Sequence, residues 1–417
     1  MSANLIERAE LLIQQNKFKE AEYVLNGLMV NNPTNIHVLA LLCEVKIQQK
    51  LIIEAEQLIN SAISLGPDVD YLYYIKARIY IQKEKYDEAE QYLKQAISIN
   101  PVDADYYAVW ASIKITRKQF TSGLELANKA LEHDPENILA LNIRSTALFK
   151  LDQKEDSFHA IQGALNEDPN NAYTHANYGW SLLEKGDHKK SLEHFSEALK
   201  NNPNLDYAQA GMAEALKAKY LVYRWFLKYS FWIGNLTAKY QWGVIIGFYL
   251  GFKGLKALAA NNETLQPYLI PLIILLALVA FSTWIITPIG NLFLRLNKYG
   301  KHLLNKKEIQ SSNFVAISAV IFLAGCLLFL ILHEEQWLVV AAFGFTMMIP
   351  LSTMFLPSKY KNSLVYYTIG MALIGGLAIF NAFSTEQIFG LFATLYVFGI
   401  VGFQWVANFL VIRDSNR

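Results

Sequence analysis

The chain has 417 residues, 53% of them hydrophobic, and its 37 Lys and Arg almost balance its 36 Asp and Glu. The charges are unevenly divided, because residues 1–205 hold 21 basic and 28 acidic residues, whereas residues 206–417 hold 16 basic and 8 acidic residues. The acidic first half argues against nucleic acid as a partner, since its binding depends on Lys and Arg that neutralise phosphates.

A fixed period organises the first half of the chain. Six prolines recur at intervals of 34 residues, at Pro33, Pro67, Pro101, Pro135, Pro169 and Pro203. Small residues keep the same phase, twelve positions before each proline, at Ala21, Ala55, Ala89, Gly123, Ser157 and Ser191. Small residues let two antiparallel helices approach closely, and proline ends a helix. The period therefore predicts six stacked helix pairs.

This pattern resembles the tetratricopeptide repeat (TPR) family over residues 2–205, because six repeats here have the family's 34-residue length. The resemblance implies an all-α solenoid that serves as a protein-interaction module. Residues 206–219 continue the phase of the repeats. We predict that they form the capping helix that covers the apolar face of the last repeat.

In TPR proteins, fixed positions on the first helix of each repeat line the concave surface. The resemblance carries these positions over to a partner-binding groove made of His37, Glu44, Tyr71, Tyr74, Arg78, Gln82, Asp105, Asn142, Thr146, Tyr173, Asn177 and Trp180. Rings offer contact area and amides can bond to a peptide backbone, so the groove is predicted to bind a protein segment. No repeat has the Lys and Asn pair with which the family clamps C-terminal carboxylates. The alternative is that these are ordinary solvated side chains.

Residues 220–243 read YLVYRWFLKYSFWIGNLTAKYQWG, a stretch of aromatic rings and cations without an acidic residue. Rings and cations both suit the headgroup layer of a membrane. We therefore predict an interfacial amphipathic linker helix over residues 220–240, with membrane contacts from Tyr220, Arg224, Trp225, Lys228 and Trp232. The alternative is the second helix of a seventh repeat, packed on the repeat array.

Beyond residue 240 the apolar stretches reach the roughly 20 residues that a helix needs to cross a membrane. We predict a six-helix transmembrane domain over residues 241–412, with spans at 241–261, 267–294, 312–333, 336–356, 363–383 and 387–412. Lys and Arg lie in the loops 295–308 and 358–361 and in the tail 412–417, while the alternate loops carry acids only. The positive-inside rule then places both termini and the TPR array in the cytoplasm, at the inner membrane of a bacterium.

The first span differs from the others because it contains Lys253 and Lys256. Both side chains can reach the outer interface by snorkelling; the alternative is a cationic vestibule that contacts an anion or a lipid phosphate. In the same span, Gly243, Gly247 and Gly251 are four residues apart. This spacing makes one smooth helix face, which predicts close helix–helix contact.

The sequence lacks the residue patterns of ion-coupled transporters, of metal sites and of common enzymes. The other five spans contain no Asp, Glu or Lys, whereas ion-coupled transport needs ionisable groups inside the membrane. The His and Cys spacings fit no common metal site, and no phosphate-binding glycine loop or nucleophile elbow is present. We therefore predict no metal, no cofactor and no enzymatic activity. Cys43 and Cys326 lie in different halves, so no disulfide is expected.

The second half, from KAKYLVYRWFLKYSFWIG to TPIGNLFLRLNKYGKHLL, resembles the C-terminal part of a bacterial family of membrane-anchored TPR proteins. This resemblance implies architecture rather than activity. The leading hypothesis is a membrane-anchored scaffold or assembly factor that binds a protein segment in the TPR groove. A passive channel or carrier gated by the TPR array is the second hypothesis, and a membrane-embedded enzyme is the third.

Overall fold

The computed structural model describes residues 2–298, 300–355 and 362–415, and within these ranges it describes the side chains of residues 4–410. Over the described residues the fold is all-α, as predicted, with no strand. The first twelve helices are α1 (Ser2–Gln14), α2 (Phe18–Asn31), α3 (Ile36–Gln48), α4 (Ile52–Leu65), α5 (Asp70–Gln82), α6 (Tyr86–Ile99), α7 (Ala104–Thr116), α8 (Phe120–His133), α9 (Ile138–Lys150), α10 (Lys154–Glu167), α11 (Ala172–Lys185) and α12 (His188–Asn201). The others are α13 (Asp206–Lys217), α14 (Leu221–Asn235), α15 (Ala238–Asn261), α16 (Gln266–Arg295), α17 (Lys306–Leu332), α18 (Gln336–Thr353), α19 (Ser363–Thr385) and α20 (Leu391–Ser415).

Two compact units divide the chain, Met1–Pro169 and Asn170–Arg417. The first unit holds α1–α10, which form five helix pairs. The second unit holds the sixth pair, α11 and α12, followed by α13, α14 and the long apolar helices. Within the first unit, the first helices of neighbouring pairs contact each other, α1 with α3, α3 with α5, and α7 with α9.

The turn inside each helix pair contains one residue with a left-handed backbone. These residues are also 34 positions apart: Asn16, Lys50, Glu84, Lys118 and Asp152, with φ between 58° and 62°, and Gly186 with φ of 99°. An L-residue with a side chain adopts this conformation only at a cost in free energy, and glycine does not pay that cost. The turns at Lys50, Glu84 and Lys118 therefore carry the most backbone strain, because Asn16 and Asp152 tolerate this conformation better and Gly186 adopts it freely.

The helix starts follow the same period. Asn35, Asn137 and Asn171 stand immediately before the first helices of their repeats, and each side chain accepts a hydrogen bond from the backbone N–H three residues later. Such caps satisfy a donor that would otherwise lack a partner at the helix start. The sequence thus marks the first residue of these helices as well as their ends.

Small residues bring the two helices of a repeat together. The buried Cys43 thiol donates to the carbonyl oxygen of Ala55 at 3.2 Å, and Ser191 Oγ donates to that of Gly179 at 2.8 Å. Burial raises the pKa of the Cys43 thiol to about 12, so it is an unreactive packing residue. A Cβ added to Gly179 would lie 2.8 Å from the fully buried Phe195 ring.

Ion pairs join successive repeats of the first unit. Glu22 on α2 accepts from Lys46 Nζ on α3 at 2.8 Å, and Glu90 on α6 accepts from Lys114 Nζ on α7 at 2.7 Å. The hydrogen bonds with Lys46 and Gln49 hold the pKa of Glu22 below its usual value. These pairs tie the second helix of one repeat to the first helix of the next.

Six helices, α15–α20, are long and apolar enough to cross a membrane. Among them α17 and α18 approach closely, since a Cβ on Gly344 would lie 2.4 Å from the backbone nitrogen of Phe322. Ser318 Oγ also donates to the carbonyl oxygen of Gly344 at 2.8 Å. The predicted cationic loop 358–361 lies outside the described residues, as do the side chains of the tail 412–417.

Candidate functional site

A cluster of rings around one ion pair lies on the first helices of the first unit. Arg78 donates to Glu44 Oε1 at 2.7 Å, and the Tyr71 hydroxyl donates to the same oxygen at 2.6 Å. Tyr74 stacks on Tyr71 with ring centroids 5.8 Å apart and lies 5.2 Å from the Tyr106 ring. The structure thus brings together four predicted groove residues, Glu44, Tyr71, Tyr74 and Arg78.

The charges of this ring cluster are neutralised within it. Burial and the hydrogen bond to Glu44 raise the pKa of Tyr71, so its hydroxyl stays a donor at neutral pH. The Arg78 guanidinium lies 5.5 Å from the centre of the Tyr74 ring, within the range of a cation–π contact. Tyr71 keeps 37% of its surface exposed. The cluster therefore exposes the Tyr71 ring beside an ion pair whose two charges already balance each other.

Tyr106 was not among the predicted groove residues, although it belongs to the cluster. Its hydroxyl donates to Asp70 Oδ2 at 2.7 Å, and Asn100 Nδ2 donates to the same oxygen at 2.9 Å. Burial and the bond to Asp70 raise the pKa of Tyr106. Tyr106 follows Tyr71 by 35 residues and Tyr74 by 32, so the 34-residue phase gave no signal for it.

The other predicted groove residues of the first unit lie apart from this cluster or below the surface. His37 Nε2 bonds to Glu10 Oε1 at 3.1 Å, and Asp105 accepts from Asn137 at 2.8 Å. Gln82 is exposed, and Thr146 Oγ1 donates to the carbonyl oxygen of Asn142 at 2.9 Å. Asn142 itself has only 1% of its surface exposed. Its amide is therefore part of the packed helix interior.

The second unit carries a stack of three rings. Tyr207 on α13 stacks with Tyr173 at 5.7 Å and with Trp180 at 5.8 Å between ring centroids. Trp180 Nε1 donates to the carbonyl oxygen of Tyr207 at 3.1 Å. Tyr173 and Tyr207 are exposed, whereas the predicted groove residue Asn177 is buried. The accessible part of this ring stack is thus formed by the two tyrosines.

Two histidines meet beside the ring stack, within the sixth helix pair. His175 Nδ1 and His194 Nδ1 are 3.0 Å apart, so one ring donates to the other. The Tyr178 ring lies 4.3 Å from that of His194. Burial and the neighbouring His175 lower the pKa of His194 to about 4, which keeps it neutral at pH 7.

Helix α14 has two different faces. Tyr223 and Leu227 are buried in a core cluster with residues of α11, α12 and α13. On the opposite side Trp225 and Trp232 are exposed, with 63% of the Trp225 surface accessible, and Tyr220 just before the helix is exposed as well. The helix thus packs on α11, α12 and α13 and leaves Trp225 and Trp232 exposed. A break at residues 236–237 separates α14 from α15.

A buried polar cluster joins the end of the array to α16. Lys217 on α13 donates to Glu214 Oε1 at 2.5 Å and to Asn291 Oδ1 on α16 at 3.3 Å, and only 3% of its surface is exposed. Tyr223 on α14 donates to Glu214 Oε2 at 2.7 Å. A Cβ added to Gly290 would lie 2.8 Å from the Tyr223 ring. We call Glu214, Lys217, Tyr223, Gly290 and Asn291 the junction cluster.

No pattern in the sequence predicted the junction cluster. Lys217 and Asn291 are 74 residues apart, and a contact at such separation has no periodic signal. The one available signal was Asn291 itself, a polar residue next to Gly290 in an otherwise apolar span. Burial and Glu214 raise the pKa of Tyr223, so the cluster holds a neutral phenol beside one cation and one carboxylate.

The special residues of α15 all lie on its accessible surface. Lys253 and Lys256 are exposed. A Cβ added to Gly243, Gly247 or Gly251 would meet nothing within 4 Å, so no described helix of the chain covers this glycine face. Helix α15 contacts α20 elsewhere, where the Trp242 and Trp405 rings stack at 6.3 Å.

The described residues contain no group of three or more His, Cys, Asp or Glu side chains that could hold a metal ion. Cys43 and Cys326 are both free. The only His pair described above has its ring nitrogens bonded to each other rather than directed at a shared vacant position.

Paired helices in a 34-residue period, with accessible rings on the first helices, define a helical repeat protein. Models of the tetratricopeptide repeat match residues 71–103 and 172–205, which cover the ring cluster of α5 and the sixth helix pair. The chain thus carries tetratricopeptide repeats over these residues, and proteins with such repeats generally serve as protein-interaction scaffolds. The resemblance of the second half to membrane-anchored members stays a prediction. A comparison with curated proteins gives no match.

Several solved structures are similar to part of the chain. A tetratricopeptide repeat protein from Parabacteroides merdae has 16% identity and a TM-score of 0.45, covering 52% of this chain and 84% of its own. YrrB, a TPR protein described with an unusual peptide-binding site, has 17% identity and a TM-score of 0.32, covering 45% and 96%. PilF of Pseudomonas aeruginosa has 14% identity and a TM-score of 0.41, covering 51% and 97%. Similarity at this level does not transfer function.

Proposed function

We propose that this protein is a membrane-anchored scaffold or assembly factor. Its TPR array binds a segment of a partner protein, and its six apolar helices hold that partner at a membrane. The observation that carries the proposal is the accessible ring cluster of Tyr71, Tyr74 and Arg78 on the first helices. We place the protein in the inner membrane of a bacterium, with both termini in the cytoplasm.

The ring cluster suits a peptide segment of low net charge. Its cation and its carboxylate are already paired at 2.7 Å, so a charged partner would have to break an existing bond. A ring such as Tyr71, with part of its surface accessible, offers apolar contact area at little entropic cost. The exposed Tyr173 and Tyr207 offer the same kind of surface in the second unit. We therefore expect apolar or aromatic anchor residues in the bound segment.

The contact between the array end and α16 supports the cytoplasmic placement. Ile286 and Asn291 of α16 pack on or bond to the array end, and the Tyr220 ring lies 5.3 Å from that of Phe293. These residues stand just before the cationic loop 295–308. The array end thus lies at the end of α16 that carries the positive charges, which the positive-inside rule assigns to the cytoplasm.

The exposed face of α14 supports membrane contact beside the array. Trp225 and Trp232 point away from the repeat core, and amphipathic rings prefer the membrane interface. On α15 we propose contact of Lys253 and Lys256 with lipid phosphates. We also propose that the open glycine face of Gly243, Gly247 and Gly251 contacts a helix of another chain.

The partner-binding proposal can be tested by co-purification from native membranes. We compare the wild type with a Tyr71→Ala, Tyr173→Ala variant, because both rings are exposed and Glu44 keeps its Arg78 partner without Tyr71. The matched control is Tyr23→Ala, which removes an exposed tyrosine from the second helix of the first repeat. We expect a specific partner with the wild type and the control, and its loss from the double variant. Equal recovery with all three proteins would contradict the proposal.

A further inference from the structure

A cationic cavity of about 190 Å³ lies beside α14, at the turn between α11 and α12. Cations and apolar rim residues share its lining, among them Lys185, His188, Leu221, Arg224, Trp225 and Lys228. The volume corresponds to about six water molecules of roughly 30 Å³ each, which is enough for a phosphate group. This phosphate-sized cavity is separate from the rings of the proposed groove and from the junction cluster.

The Arg224 side chain, which lines this cavity, has one donor without a partner. Its Nε is fully buried and has no hydrogen-bond partner among the residues that the structure describes. A buried donor left without a partner costs about 1–3 kcal/mol, so an acceptor at this position would be favourable. No carboxylate belongs to the cavity lining to supply one.

The nearest acidic side chains are engaged elsewhere. Asp187 accepts from the backbone N–H of Lys190 at 3.2 Å and so caps α12, and Glu184 accepts from Asn235 at 2.9 Å. Burial, together with the charges of Arg224 and Lys189, holds the pKa of His188 below its usual value. The cavity lining thus holds three cations, Lys185, Arg224 and Lys228, and no carboxylate.

We propose that this cavity binds the phosphate group of an anionic membrane lipid, held by the cationic side chains of Arg224 and Lys228 that line it. Arg is suited to this task because its planar guanidinium matches two phosphate oxygens at once. The exposed Leu221 and Trp225 at the rim fit the glycerol and acyl part of a lipid better than they fit a free phosphate. The inference rests on the proposed placement of α14 at a membrane.

The test is a lipid titration of the purified full-length chain in detergent, with tryptophan fluorescence as the readout. Short-chain phosphatidylglycerol is the probe, and short-chain phosphatidylcholine and inorganic phosphate are added in separate arms. We expect Arg224→Gln to weaken phosphatidylglycerol binding at least about tenfold, which corresponds to the loss of one charged hydrogen bond. Lys228→Gln should weaken it less, and circular dichroism checks that both variants are folded.

The matched control is Lys219→Gln, which removes an exposed cation that does not line the cavity. Its affinity should stay within about twofold of the wild type, because removal of a single exposed charge changes binding little. Equal weakening by Lys219→Gln and Arg224→Gln would show non-specific attraction and overturn the proposal. Equal affinity for phosphatidylcholine, or for inorganic phosphate alone, would overturn the anionic-lipid assignment. If Arg224→Gln lost lipid binding but still co-purified with the partner protein, this site would be independent of the partner-binding groove.

Discussion

Lys217 is a charged residue whose environment is complete only when α13, α14 and α16 are all in place. Its ammonium is bonded to Glu214 and Asn291, and it lies 5.1 Å from the centre of the Tyr223 ring. A buried charge without partners is strongly destabilising, whereas a satisfied one fixes a specific arrangement. The junction cluster therefore favours one packing of the array end on α16 over alternatives.

Removing one charge of the junction cluster should destabilise the fold more than removing both charges. Glu214→Gln leaves Lys217 buried without its counter-charge, and we expect a loss of about 1–3 kcal/mol in stability. Adding Lys217→Met should restore much of it, since an apolar side chain of similar length needs no partner. The thermal unfolding midpoint of the full chain in detergent measures both effects, with the exposed Glu193→Gln as control. A double variant less stable than Glu214→Gln would contradict this account.

The histidine pair of the sixth repeat predicts a pH dependence. The pKa of His194 is lowered in the fold to about 4, so protons bind the unfolded chain more readily. Stability should therefore be complete above about pH 6.5, the ordinary histidine pKa, and should fall as the pH drops from there toward 4.

Thermal unfolding of the full chain between pH 7.5 and pH 5 checks this dependence. We expect a smaller decrease for His194→Gln, whose amide can still bond to His175 but does not titrate. His159→Gln changes an exposed histidine, so its pH dependence should equal that of the wild type. If the unfolding temperature depended on pH in the same way for the wild type and His194→Gln, His194 would not be a cause of the pH dependence.

At the scale of the helix pairs, the left-handed residue in each turn can be tested by exchange with glycine. Glu84→Gly keeps the left-handed conformation but removes its steric cost of about 1–2 kcal/mol. The greater freedom of glycine in the unfolded chain opposes this gain by roughly 0.5–1 kcal/mol. We expect Glu84→Gly to be neutral or more stable by up to about 1 kcal/mol. Gly186→Ala should be less stable by about 1 kcal/mol or more, because φ at this position is 99°.

Denaturant unfolding of the full chain measures both changes, and Glu84→Ala serves as the matched control. Alanine keeps the left-handed strain and removes the same side chain, so any gain must be specific to glycine. If Glu84→Ala and Glu84→Gly gave the same stability, backbone strain would not be the cause.

The helix pairs could be predicted from the sequence because every repeat carries the same local signals. Prolines and small packing residues recur in phase, so the same interpretation is tested six times along the chain, and Asn caps mark three of the first helices. The groove was less predictable. Tyr71 and Tyr74 meet as a cluster, but Asn142 and Asn177 are buried, because the depth of a side chain depends on the size of its neighbours.

At the scale of the whole molecule, the sixth repeat belongs to the same compact unit as the membrane-type helices. The six long apolar helices were readily predicted, since length and hydrophobicity alone identify helices that could cross a membrane. The junction cluster was not, because Asn291 gains a partner only after α16 packs against α13. The same limit applies to the phosphate-sized cavity, which two separate segments of the chain, 183–188 and 218–228, form together.

The central claim is that the first helices of the array bind a partner segment at the membrane. The most direct test places a photo-reactive phenylalanine analogue at Tyr71 and, in a separate strain, at the exposed Tyr23 of α2. Irradiation of intact cells should crosslink a discrete partner from position 71, recovered with the membrane fraction, and none from position 23. Crosslinks of equal yield from both positions, or from neither, would contradict the claim.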